Sequence, residues 1–505
     1  MILEFPEFLP DIPDINNPGV TTAKNVIASG GSYKSFPSFD TYSNALTGRV
    51  RGALSARDPE TATTYNFAGT GTKLYLLGNT TTGTFDDVSI AGGYSLPADE
   101  NWEFVQFGDE VLGLNIDNQI QTFTLGVSTL FANLSGTPPL ARYADVVSDD
   151  FFVVGNTFDS VDGFKPYRVR WAGIGTSTSW TVSATTQADY QDLNAGYGWI
   201  QAIWGGSYGV IIQEKAIVRM DYVGSPAIFQ FLTVERNQGT KYPKSVIRVN
   251  DLTFFIGLDG FRVFDGNQSV QIGANKVDRF FFDDLDTTYD YLICSAVDYA
   301  RQIILWSYPS SELGQGEVNS RILMYNYSPN SSRRWSYADI NNDFVYSALT
   351  EGYTLDGLDD WESAHGLSKN IDVLPYSLDS RVWVGNNIDF GLFNSSHILA
   401  FPSTSTALTA VIETAEAQIT PRQKTDVFLV KPLIEGTSAT VTMQIGTRNL
   451  QTESVTWGSS LPVDSDGHCQ ARSNARYHRV RTTVTGNFTN AVGVELLEFK
   501  PAGIR

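Results

Sequence analysis

The chain has 505 residues and a formal net charge of −20, with 18% charged and 42% hydrophobic residues. That length exceeds one ordinary core and asks for several units or a repeat array; the apolar content excludes disorder, and the acidity argues against a protein that grips nucleic acid by its phosphates. The 30 Phe, 23 Tyr, 10 Trp and 44 Gly, set among Thr, Ser, Asn and Asp, favour β structure over helix.

Residues 1–65 read as an extended N-terminal arm. Pro6, Pro10, Pro13 and Pro18 prevent a stable helix. The apolar Ile2, Leu3, Phe5, Phe8 and Leu9 want another surface, which makes the arm a strap between subunits or a loose tail. Met1 to Pro18 carries four acidic residues before the first Lys and lacks the basic and apolar regions of a secretory signal. Apolar runs reach only about six residues, far short of a membrane span. A soluble protein made in a cytoplasm is expected. Cys294 and Cys469, 175 residues apart, read as free thiols of a reducing compartment.

From residue 66 to 350 a pattern recurs of β-rich run, tight turn and second run. The units begin near Gly71, Gly108, Asp149, Ser207, Asp251 and Arg301, at intervals of 37, 41, 58, 44 and 50 residues. Four-stranded propeller blades take roughly 40–50 residues each. In Leu112–Phe123, Leu112, Leu114 and Ile116 alternate with Gly113 and Asn115, and Asp117-Asn118 makes the turn. Leu252–Ile256 is apolar on both faces, as a sheet stacked between two others requires, and Asp259-Gly260 then turns the chain into Phe261–Phe264. Six units predict a six-bladed β-propeller; a large β-sandwich with irregular hairpins is the competing architecture.

Residues 351–400 break the rhythm and read as a connecting segment, with a short helix starting near Asp359. Residues 401–505 read as a C-terminal β domain, with strand-type alternation in Ala407–Ile419, Val427–Ile434, Ala439–Ile445 and Arg476–Val484. That stretch holds ten Lys/Arg against nine Asp/Glu, so the acidity belongs to residues 1–400, with 25 Lys/Arg against 46 Asp/Glu.

Chemistry is sparse. His365, His397, His468 and His478 are scattered, and His468-Cys469 lacks partners at zinc-ligand spacing. The Ser-rich segments show no GxSxG elbow, and no phosphate-cradling glycine loop follows a strand. Two acidic clusters, Asp283, Asp284 and Asp286 and then Asp359, Asp360 and Glu362, read as solvated loops, although a propeller glycosidase would need two converging carboxylates. Gly175–Thr181 has the character of a sialidase-type Asp-box without its Asp and Gly in register. No catalytic residue, cofactor or metal is expected. One charged constellation has a pattern: Arg472, Arg476, Arg479 and Arg481. On a strand Arg479 and Arg481 share a face with Tyr477, and they are candidate interaction residues, within or between subunits or toward DNA. Salt bridges to Glu495 and Glu498 are the bland alternative.

Several stretches carry a family resemblance. Tyr167-Arg168-Val169-Arg170-Trp171 through Trp180 is one, and Gly198-Trp199-Ile200 leading to Gln213–Met220 another. Asp259-Gly260-Phe261, Ile272-Gly273 with Lys276-Val277-Asp278, Ser377–Arg381, Pro501-Ala502-Gly503 and Ser35-Phe36-Pro37 complete the series. In that order they resemble the packaged-DNA stabilisation, or tail nozzle, proteins of short-tailed bacteriophages. The resemblance implies a non-enzymatic virion subunit, assembled in the bacterial cytoplasm into a homo-oligomeric, hexameric ring below the portal and its adaptor protein. It implies neighbouring tail needle, spike or fibre proteins, and double-stranded DNA in transit without sequence specificity or membrane insertion. The acidity of residues 1–400 is then expected on the lumen or outer surface, with contacts between subunits made by the C-terminal domain. The alternative is a propeller that degrades polysaccharide or binds host glycan; the glycan binder predicts exposed aromatics at a rim, whereas propeller tryptophans such as Trp102, Trp171, Trp180, Trp199 and Trp204 more often pack between blades.

Overall fold

Strand pairing is antiparallel and local over most of the chain, because short apolar runs separated by Asp, Asn and Gly turns close hairpins before anything distant can compete. The computed structural model describes residues 1–78, 83–349 and 388–503. Five consecutive four-stranded sheets have inner strands Val50–Arg57, Glu103–Phe107, Leu140–Val147, Ile200–Trp204 and Ile247–Val249. A sixth runs from Cys294–Asp298 through Ile303–Tyr308 and Asn319–Asn326 to the first half of Trp335–Leu349. These are the six units counted along the sequence.

The ring holds a seventh. The second half of Trp335–Leu349 leaves the outer edge of blade 6 and becomes a new inner strand, pairing with Ile388–Asn394. That strand pairs with Ile398–Ala407, which pairs in turn with Pro37–Ala45 from the other end of the chain. Blade 7 is therefore closed by an N-terminal strand. Its inner strand is tied to blade 1, where Leu349 N–H donates to Ser55 Oγ (2.9 Å) and Asn66 Nδ2 donates to the Leu349 carbonyl (3.1 Å). On the other side Ser347 Oγ donates to the Val297 carbonyl of blade 6 (2.8 Å). Phe344, Phe390, Phe393 and Leu399 of blade 7 share one core with Val50 and Phe85 of blade 1 and with Leu305 and Met324 of blade 6. No local signal could have shown this blade, since its strands come from residues 37–45, 343–349 and 388–407.

The expected boundaries shift accordingly. The propeller takes its earliest strand from Pro37–Ala45 and its first blade from Val50, ahead of residue 66, and the end of the connecting segment supplies blade 7. The short helix expected near Asp359, the acidic cluster there, His365 and Ser377–Arg381 lie outside the described residues.

Residues 1–35 are extended, but they lie on this chain rather than across to another. Ile2–Glu4 pairs with Gly493–Glu495, and Val20–Lys24 pairs with Ala410–Thr414. The C-terminal domain is a sandwich. One sheet orders Val26–Ser29, Ser32–Ser35, Asn490–Gly503, Lys424–Glu435 and Cys469–Ala475; the other orders Val20–Lys24, Ala410–Thr414, Tyr477–Thr485 and Thr440–Arg448. Phe5 and Phe8 are fully buried where the sandwich meets blades 5 and 6, and Phe8 packs on Phe280 (5.5 Å) and Tyr337 (5.4 Å). The surface those apolar residues need is their own chain.

Candidate functional site

Seven inner strands converge on the propeller axis. A cavity of about 240 Å³ inside is lined by residues of every blade, among them Ser55, Glu103, Tyr143, Ile203, Ile247, Ser295 and Val345. Above it, where the chain enters the inner strands, a second cavity of about 340 Å³ opens between Glu100, Arg142, Asn156, Trp199, Glu214 and Tyr291. The two share Tyr143, Pro243 and Lys244. Lys244 leads into blade 5, yet its Nζ donates to the Trp102 carbonyl (2.9 Å) and pairs with Glu103 (2.5 Å) of blade 2. Two blades separate them along the ring, so this ion pair spans the bore where the two cavities meet.

At the mouth one ion pair is firmly held. Arg142 donates twice to Glu100 (2.9 and 2.5 Å), while burial pushes the Glu100 carboxyl above its usual range. Deeper in, Asp145 is pushed up to about 6 by burial, although the Gly205 and Val146 N–H groups donate to it. Trp102 is buried against blade 1, where a Cβ on Gly69 would lie 2.5 Å from its ring. Trp171 and Trp180 are buried too; Trp199 is 44% exposed.

The basic constellation is dispersed. Arg479 and Arg481 share the outer face of their strand, as the alternation predicts, but each meets a carboxylate of its own chain. Arg481 pairs with Glu413 on the neighbouring strand and lies 3.9 Å over the Trp457 ring; Arg479 pairs with Asp14. These differ from Glu495 and Glu498, the partners that the bland alternative named. Arg472 is exposed on the other sheet, and Arg476 lies between the two strands. Of the acidic cluster at 283–286, Asp284 is not solvated: it is buried, accepting from Tyr308 (3.0 Å) and Ser310 (2.7 Å) and pairing with Arg321 (2.9 Å). Arg321 also pairs with Asp339 (2.7 Å) and Glu312 (2.9 Å), which makes the group a structural lock between the helix Asp278–Asp284 and blade 6.

Sequence reasoning passed over the mouth. Its residues come from different blades, with no spacing to betray them. One signal was present, the Gly198-Trp199 pair. Gly198 has φ +84°, and a Cβ there would stand 2.1 Å from a Glu214 carboxylate oxygen, so only glycine admits that carboxylate beside the backbone.

No family model and no curated protein matches the chain. Among solved structures it is similar to the extracellular domain of BT4673 from B. thetaiotaomicron, at 9% identity and TM-score 0.40, over 88% of this chain and 59% of that one. It is also similar to the C-terminal WD40 domain of Sif2 (9% identity, TM-score 0.36, 80% and 97% covered) and to a chain of the mitotic checkpoint complex (8%, 0.37, 77% and 97%). The chain thus spans 59% of the length of the first of these. By its own strand pairing, it is a β-propeller carrying a β-sandwich.

Proposed function

We propose that the chain is a structural subunit of the nozzle ring that closes the tail of a short-tailed bacteriophage. It attaches below the portal and adaptor, holds packaged DNA, and forms with its copies the path for ejection. The observation that carries this is the ordered series of nozzle-like segments, together with what those segments do here. Arg168 clamps Asp162 and Asp192 within blade 3, and Trp171 Nε1 donates to the Gln187 carbonyl (2.9 Å). Gly260 and Gly273 leave room for the Asp278 carboxylate, which accepts from the Phe261 N–H (2.9 Å). Lys276 reaches Glu7 of the N-terminal segment (3.1 Å). Each of these serves packing within one chain, which favours a structural subunit over an enzyme.

A bore crossed by the Lys244–Glu103 ion pair favours a conduit between copies rather than through one propeller. Acidic residues on such a wall repel phosphate and let DNA slide. The test is the mass of the purified chain alone and with the portal–adaptor complex, followed by electron microscopy of the species formed. A monomer that becomes a ring on the adaptor, with an acidic bore wide enough for duplex DNA, is expected. A monomer that ignores the adaptor, or a ring with a basic lumen, refutes the reading.

A further inference from the structure

The cavity at the propeller mouth has an unanswered hydrogen-bond acceptor. Asn156 sits in blade 3 where the register between Phe151–Asp159 and Gly163–Trp171 shifts, and its φ of +58° turns the side chain out of the ladder. It is 1% exposed and lines the cavity. Its Nδ2 donates to the Ile200 carbonyl (3.1 Å), while its Oδ1 has no protein donor. Buried amide oxygens are nearly always paired, so an unpaired one on a residue that lines a cavity marks a place where an O–H or N–H donor is wanted.

Around it the other groups suit the same kind of visitor. Gln201 Nε2 stands 3.4 Å from a Glu214 oxygen, a long contact that leaves the carboxylate free to accept from a ligand. Arg142, fixed by Glu100, adds a donor. At the rim Trp199 presents an exposed indole, braced edge-on by Phe164 at 5.4 Å and 83°. The Arg142 guanidinium lies 5.8 Å from both rings. Phe164 is itself 41% exposed, on the hairpin whose tip residue Val161 is 91% exposed.

We infer that this mouth is a binding site for a neutral saccharide, whose hydroxyls donate to Asn156 and Glu214 while a C–H face of the ring stacks on Trp199. A sugar hydroxyl both donates and accepts, and a pyranose offers an apolar face, so one ligand class satisfies every feature. Volume agrees, since small-molecule sites begin at roughly 300 Å³. The charge pattern disfavours anions. The cavity wall carries carboxylates at Asp99, Glu100, Glu214 and Asp290 against three cations, so a phosphate or an acidic sugar meets net repulsion. The site goes beyond the ring reading and does not depend on it, because it lies within one propeller.

The test is saturation-transfer NMR on the full chain with maltotriose, cellotriose and mannotriose, paired with tryptophan fluorescence. At least one trisaccharide should bind saturably, with a Kd on the order of 1 mM or tighter. Trp199→Ala, a surface change, should weaken it about tenfold or more with an unchanged melting curve. Asn156→Gly, which suits the positive φ and removes the acceptor, should weaken binding several-fold. Three results overturn the inference: silence from all three sugars, equal binding by Trp199→Ala, or binding confined to anionic sugars.

Discussion

Truncating Phe8 to alanine separates two accounts of the N-terminal segment. The ring is fully buried between Phe280 and Tyr337 at the junction of sandwich and propeller. A core Phe→Ala change costs about 3–5 kcal/mol, and the loss of two aromatic pairs places this site near the middle, about 4 kcal/mol. With a urea m-value of about 3 kcal/mol/M or more for a unit this large, the midpoint of the transition should fall by about 1 M. The assay is urea unfolding followed by tryptophan fluorescence, at several protein concentrations low enough to keep the chain monomeric. Because the residues that Phe8 touches belong to the same chain, the shift should not depend on concentration. A change below about 0.2 M, or a loss that grows with dilution, would mean that residues 1–35 pack on another copy.

Three further outcomes are expected. Arg321→Ala leaves the buried Asp284 without its cation, while Asp339 keeps Lys24, and should cost about 3–5 kcal/mol, read as a lower urea midpoint. His478 lies between the sandwich sheets with neither ring nitrogen hydrogen-bonded, and burial pushes its pKa down to about 4. The folded state thus resists protonation: stability is whole above the unfolded value of about 6.5 and is lost as pH falls toward 4. His478→Leu should recover about 2–3 kcal/mol at pH 4.5 relative to the parent and little at pH 7. Asp278 behaves oppositely, since burial pushes it up to about 6 and stability contributed by the neutral acid fades as pH rises through that value. Asp278→Asn should therefore gain about 1–2 kcal/mol at pH 7 and lose the advantage near pH 4, provided its oxygen still accepts from the Phe261 N–H.

Hairpins were legible wherever a turn residue sat between alternating runs. Asp117-Asn118 turns as expected, with both N–H groups donating to Asn115 Oδ1. The strand Leu252–Gly257 buries Phe254, Phe255 and Ile256 on both faces, also as expected. What the local pattern does not encode is which distant strand pairs with which. Phe5 and Phe8 announced a need for cover without saying where the cover lay. Arg479 and Arg481 showed their common face, while the carboxylates opposite them depended on a register set by Ala410–Thr414 and by the fold of residues 1–35. The mouth was hidden for the same reason: Asn156, Trp199 and Glu214 meet only after two blades stand side by side.

Interleaved termini set a schedule for the chain's birth. The strand at Ile2–Glu4 finds its partner at Gly493–Glu495, and Pro37–Ala45 waits for Ile398–Ala407. Ribosomes add about 5–20 residues per second, so Ile2 stands without its neighbour for roughly 25–100 s. Blades 1 to 6 can form in passing, but the ring stays unlatched until Ile398–Ala407 emerges, and Ile2–Glu4 stays unpaired until Gly493–Glu495 has been made. A nascent chain therefore holds its first strand in reserve, and the sandwich cannot close before the strands from both ends of the described chain are present. The exposed interval also makes this segment a natural client for a chaperone.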